Sequence, residues 1–182
     1  MPRFSATDLM TIVGLAVVLT VVKTSLSYAE AILSATGVGE VAVDFLYGVA
    51  VFAAAVAAYR VRKVGTNFLV NIIQGFASLL LGAPMSIYMV IYAAGWGITA
   101  DVIMGATLFK RRIAIFLAAG AIAGIVVGGF DAVFFREWFL GYGGEIWLYL
   151  NWIARILGGL VGYGLGFSLS KGLVKAGLIA KE

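Results

Sequence analysis

Residues 111–135 read RRIAIFLAAGAIAGIVVGGFDAVFF: two arginines, an uninterrupted apolar run, and a single aspartate four residues from the far end. A run from 113 to 135 is long enough to cross about 30 Å of hydrocarbon as a helix, and too long and too continuously apolar for an amphipathic surface helix. Five further stretches have the same character, at about 9 to 27, 41 to 59, 66 to 82, 85 to 107 and 146 to 170. The reading is an all-α polytopic membrane protein of six transmembrane helices, forming one membrane-embedded domain over residues 1–182.

Composition agrees. Of 182 residues, 63% are hydrophobic and 12% charged, against about 45–50% and about 25% in a soluble domain, so the chain has too little polar surface to cover itself in water. There is no cysteine and no histidine. That removes disulfides, thiolate metal sites, the usual general base and the commonest metal ligand, and with them a rhomboid-like protease, a zincin helix and histidine-ligated haem. No cofactor is expected. The net charge of +4 does not point to nucleic acid, because the basic residues punctuate apolar runs instead of lining a soluble face. The first run has some signal-peptide character around Ser27, Tyr28 and Ala29 but a weak charged start, and is read as a retained helix.

The Arg111–Arg112 pair belongs to an alternating pattern that sets orientation. Arg3, then Arg60, Arg62 and Lys63, then Lys110, Arg111 and Arg112, then Lys171, Lys175 and Lys181 make up ten of the 13 basic residues, and all fall on one side of a six-span drawing. The opposite links, 28 to 40, 83 to 84 and 136 to 145, hold only Arg136. The positive-inside rule then places both termini in the cytoplasm of a multi-pass plasma-membrane protein. Small residues recur at spacing four: Ala50, Ala54 and Ala58; Ala93 and Gly97 with Gly105; Gly120, Gly124 and Gly128; Gly158, Gly162 and Gly166. Such ladders let helix backbones approach closely, through intramolecular packing or across a homodimer.

Ionisable groups inside spans cost several kcal/mol unless they are paired or face a cavity. Lys23, Asp44, Asp131 and Arg155 fall in the outer halves of their helices with Glu30, Ser78 and Asn151, while Asp101 lies near mid-membrane. Helical spacing from the glycine ladders points Asp101, Asp131 and Arg155 inward. Tyr47, Tyr88, Tyr92, Trp147, Tyr149 and Trp152 lie at the outer level, Trp96 deeper. Carboxylates, amide, guanidinium and aromatic faces together suit a small planar or cationic ligand. The alternatives are an interfacial aromatic belt, favoured for Trp147 and Tyr149, and internal neutralisation, such as Asp131 with Arg155 or Lys23 with Glu30 or Asp44. Asp101 is expected to bind a cation, to cap polar neighbours such as Asn71 and Gln74, or to be protonated. Asn67, Asn71, Gln74 and Ser78 form one polar stripe, its inner half suited to interhelical hydrogen bonds and Gln74 and Ser78 to a ligand.

Leu46-Tyr47-Gly48, the segment Ala57-Ala58-Tyr59-Arg60-Val61-Arg62-Lys63-Val64-Gly65, Leu80-Leu81-Gly82-Ala83-Pro84, the stretch from Gly97 to Asp101, and Asp131 together resemble the YkoE-type substrate-binding subunits of energy-coupling factor (ECF) vitamin transporters, over residues 8 to 175. The resemblance implies a six-helix S-component that captures a vitamin from outside, thiamin or its hydroxymethylpyrimidine precursor, and works with a transmembrane coupling subunit and two cytoplasmic ATPases. It implies acids at Asp44 and Asp101. The family carries carboxylates where Asn71 and Ser78 align, which leaves open a neutral relative or another vitamin. It implies a partner interface of small residues on helix one, here Ala16 and Thr20, for which packing within the bundle is the alternative. The absence of a G-x-x-x-x-G-K-[ST] sequence agrees with ATP hydrolysis by a partner.

The expected substrate-binding set is Asp44, Tyr47, Ser78, Tyr92, Trp96, Asp101, Asp131, Asn151, Trp152 and Arg155, with the 28–40 link as a gate hinged at Gly37 and Gly39. The rival readings are a membrane enzyme such as a lipid-head-group transferase, for which the aspartates are poorly clustered to hold metal, and an accessory subunit that binds only protein.

Overall fold

The computed structural model describes residues 3–33, 37–84, 86–141 and 144–177; Lys181 and the centre of the 28–40 link, both invoked above, lie outside them. The described residues form helices and no strand: α1 Ala6–Leu33, α2 Gly37–Ala50, α3 Phe52–Val61, α4 Thr66–Leu80, α5 Ser86–Ala106, α6 Ile113–Phe134, the short α7 Arg136–Gly141, and α8 Glu145–Lys175. Helices α2 and α3 are successive pieces of one rod, interrupted at Val51. Five segments are long and apolar enough to cross a membrane: α1, the α2–α3 rod over Gly39–Val61, α5 over Ile87–Ala106, α6 and α8. The expected sixth span, 66 to 82, is shorter than the sequence suggests. Gly82 takes a positive φ of 69° and ends α4 after 15 residues, about 22 Å of helix.

The glycine ladders carry the packing inside the molecule. A methyl group on Gly158 would sit 2.2 Å from the carbonyl oxygen of Phe45, and one on Gly120 would sit 2.1 Å from that of Gly159. The α2–α8 and α6–α8 crossings are therefore backbone against backbone, closeness that apolar side chains would prevent. Around these crossings Val51, Ala55, Trp96, Ala100, Ala119, Ala123, Val127 and Tyr163 make one buried core. A second joins α1 to the α2–α3 rod and α4 through Ile12, Ala16, Leu19, Ala50, Ala54 and Val70. The outer face of α1, with Met10, Val13, Val17 and Val21, stays exposed.

One end of the bundle gathers the basic links. Lys63 Nζ pairs with Asp8 Oδ2 at 2.7 Å and donates to the Arg3 carbonyl at 2.8 Å. Arg111 donates to the Tyr59 carbonyl at 3.3 Å, with its guanidinium 4.6 Å from the Tyr59 ring centroid. The amino-terminal segment and the 60–65 and 108–112 links thus lie at the same end, as their shared basicity requires.

Candidate functional site

At the opposite end the helices form a partly open chamber; its wall includes Lys23, Glu30, Glu40, Tyr47, Tyr92, Trp96, Asp131 and Arg155. Helical periodicity brings these residues together. Lys23 and Glu30 are seven apart on α1; Glu40, Asp44 and Tyr47 are spaced four and three on α2; Met89, Tyr92 and Trp96 are spaced three and four on α5. Each set makes one inward stripe. Asp131 from α6, Phe135 just beyond it and Arg155 from α8 complete the wall.

Arg155 organises the site. Its Nη2 donates to Asp44 Oδ1 at 2.7 Å, and its Nη1 lies 3.0 Å from Asp131 Oδ2. The second contact is a charge pair outside hydrogen-bonding angles, since Asp131 Oδ2 has no hydrogen-bond donor. The Tyr92 hydroxyl donates to Asp131 Oδ1, and the guanidinium lies 4.6 Å from the Tyr92 ring centroid, a cation–π arrangement that presents the ring to the cavity. Asp44, Asp131 and Arg155 are only 1%, 2% and 8% exposed, so this is a desolvated triad in which one cation bridges two anions. It joins α2, α6 and α8. The expected Asp131–Arg155 neutralisation is present, whereas Asp44 pairs with Arg155 and not with Lys23.

Two carboxylates remain. Glu30 accepts from the Tyr47 hydroxyl at 2.8 Å, and Glu40, 5% exposed, lines the cavity with no ion pair among the described residues. Four carboxylates, Glu30, Glu40, Asp44 and Asp131, thus face two cations, Lys23 and Arg155. Acidic groups outnumber basic ones around the chamber, and the rings of Tyr92 and Trp96 offer planar faces, a combination that suits a ligand with a cationic or hydrogen-bond-donating group and a planar ring.

Of the expected set, Tyr47, Tyr92, Trp96, Asp131 and Arg155 line the cavity, and Asp44 stands behind it as the partner of Arg155. Four residues are elsewhere. Asp101 accepts from the backbone N–H groups of Asn67 and Phe68 at 3.1 and 2.9 Å and from Asn67 Nδ2 at 3.0 Å. It caps the first turn of α4, whose free N–H groups attract an anion. This is the capping role expected as one of its three, played toward Asn67 and not toward Asn71 or Gln74. Ser78 hydrogen-bonds Thr24 and Gln74, both at 2.9 Å, and spends its hydroxyl within the α1–α4 contact. The Trp152 indole N–H donates to the Ile125 carbonyl at 2.9 Å, with its ring over Gly128. Asn151 is buried but is not in the cavity wall.

Ala16 and Thr20 are buried in the α1 packing face, with the Thr20 hydroxyl bonded to the Ala16 carbonyl at 2.8 Å. The polar stripe of α4 is wholly internal, and Tyr163 donates to Asn67 Oδ1 at 3.0 Å. Glu40, Met89 and Phe135 line the cavity without having been singled out. Glu40 had a readable signal, one turn before Asp44 on the same face; an apolar Met89 or Phe135 had none.

An all-helical, multi-pass bundle with a polar and aromatic chamber at one end defines the architecture of this membrane protein. The same fold occurs in a solved structure titled "Crystal structure of an S-component of ECF transporter", which superposes with a TM-score of 0.81 over 97% of this chain and 88% of that one, at 22% identity. No curated protein matches the sequence. Residues 7–126 match the model of the family described as "ABC-type cobalt transport system, permease component", and the chain belongs to that family.

Proposed function

We propose that this protein is the substrate-capturing S-component of an ECF-type importer in the plasma membrane, not an enzyme, with residues 1–182 acting as one domain and both termini cytoplasmic. Its ligand is a small organic cation or donor-rich heterocycle, thiamin or its hydroxymethylpyrimidine precursor first. The observation that carries this reading is the chamber, whose wall brings carboxylates and the aromatic side chains of Tyr92 and Trp96 together at one end of the bundle. The S-component fold supports it. Asp131, Arg155, Tyr47, Tyr92 and Trp96 contact the ligand, and Asp44 holds Arg155 in place. A coupling subunit and two ATPases supply the movement that releases the ligand, and the exposed α1 stripe of Met10, Val13, Val17 and Val21 is a better seat for the coupling subunit than the buried Ala16 and Thr20.

The family description favours a second reading, with cobalt as cargo. The donor set weighs against it. The sequence has no histidine or cysteine, the described residues hold no metal-spaced group of three or more carboxylates, and imidazole or thiolate donors are what hold late divalent metals best. Thermal unfolding of the detergent-purified protein against thiamin, hydroxymethylpyrimidine, other vitamins and Co²⁺ tests both, because a ligand that binds only the folded state raises the melting temperature. A saturable rise with thiamin or hydroxymethylpyrimidine is expected. A rise with Co²⁺ alone would replace this reading with the second.

A further inference from the structure

Lys23 is 3% exposed, lines the chamber, and makes no hydrogen bond or ion pair with any described residue. The two basic groups of the site therefore differ in kind: the Arg155 charge is shared between Asp44 and Asp131, although its Nε is left without a hydrogen-bond partner, while the Lys23 head group has no ion pair among the described residues. An unpaired ammonium at this depth costs several kcal/mol and contributes nothing to packing that a methionine would not.

Its depth gives the chamber a direction. Lys23 lies ten residues before the end of α1 at Leu33, while Glu30 lies three before that end and Glu40 three after the start of α2 at Gly37. At about 1.5 Å per residue the Lys23 backbone is about 10 Å further into the bundle than those of the two glutamates. The Lys23 head group brings N–H donors and the two glutamates bring carboxyl oxygens, so one end of the chamber favours an acceptor and the other a cation or donor.

We propose that the chamber orients its ligand end to end, with a hydrogen-bond-accepting ring directed inward to Lys23 and a cationic end held outward between Glu30 and Glu40. Lys23 is then the residue that selects for an acceptor. The inference rests on the chamber being a ligand-capture site, and its test separates the two claims.

Thiamin and hydroxymethylpyrimidine share an acceptor pyrimidine, and only thiamin carries a permanent cation. Affinities of both probes would be measured for the wild type, Lys23→Met, Glu30→Gln and Glu40→Gln, with the ligand-free melting temperature of each. Lys23→Met is expected to weaken both probes about tenfold to a hundredfold, the loss of a hydrogen bond to a charged group, and to melt at or above the wild type. The glutamine variants are expected to weaken thiamin and leave hydroxymethylpyrimidine within about twofold. Unchanged binding by Lys23→Met, or a lower ligand-free melting temperature, would overturn the orientation while leaving capture intact; equal losses of both probes in the glutamine variants would do the same. A wild type that binds neither probe would overturn the thiamin-type capture reading, and this inference with it.

Discussion

Replacing Arg155 by leucine removes the one cation shared by Asp44 and Asp131 and leaves two carboxylates, each at most 2% exposed, without their counter-charge. Before replacement, each ion pair supplies about 4 kcal/mol of attraction at an effective dielectric near 20, set against the desolvation of three charges. After it, the desolvation of two anions remains and the attraction is gone. Breaking a buried pair in this way costs about 3–5 kcal/mol, which for a chain of this size is a fall of about 6–20 °C in melting temperature. The assay is thermal unfolding of the purified protein in detergent without ligand. The triple variant Arg155→Leu, Asp44→Asn, Asp131→Asn should recover most of the loss, because amides in place of the carboxylates carry no charge to desolvate. A single variant that melts within about 2 °C of the wild type would refute the desolvated triad and mean that water reaches these groups.

Asp131→Ala removes a charge from the chamber and the acceptor of the Tyr92 hydroxyl while Asp44 still neutralises Arg155; it should weaken thiamin about tenfold or more and leave the protein folded, as an affinity titration paired with a melting curve would show. Asp101→Ala should do the reverse. Losing the cap on α4 costs about 2–3 kcal/mol without changing ligand affinity, and a variant with normal stability but lost binding would return Asp101 to the site. Gly158→Ala drives a methyl group to 2.2 Å from the Phe45 carbonyl oxygen and should cost about 1–3 kcal/mol by forcing α2 and α8 apart, whereas Gly14→Ala, with nothing within 4 Å of the new methyl group, should melt like the wild type.

The all-helical membrane class was legible because hydropathy reports directly on what a segment can bury, and in lipid a spanning segment must satisfy its own backbone. Periodicity then gave direction to side chains on a single helix. It placed Asp131 and Arg155 inward from the glycine ladders, and both line the chamber. Depth along a helix could be counted as well, which set Lys23, Asp44, Asp131 and Arg155 at one level.

Partner choice could not be counted, because it depends on which helices adjoin. Asp101 faces inward as its ladder requires, yet the neighbour it meets is the start of α4, so its charge is spent on two backbone N–H groups. Ser78 and Trp152 stand at the right level and turn toward Thr24, Gln74 and the α6 backbone. Lys23 has Glu30 two turns away on its own helix and Asp44 at its own depth, and pairs with neither, because Arg155 arrives from α8 to claim Asp44 and the Tyr47 hydroxyl takes Glu30. Length, charge distribution and hydrophobic period are properties of one chain segment and survive in any fold that contains it; ion pairs, caps and cavities are properties of two or three segments at once, and exist only after the glycine-mediated crossings of α8 with α2 and α6 have brought those segments together.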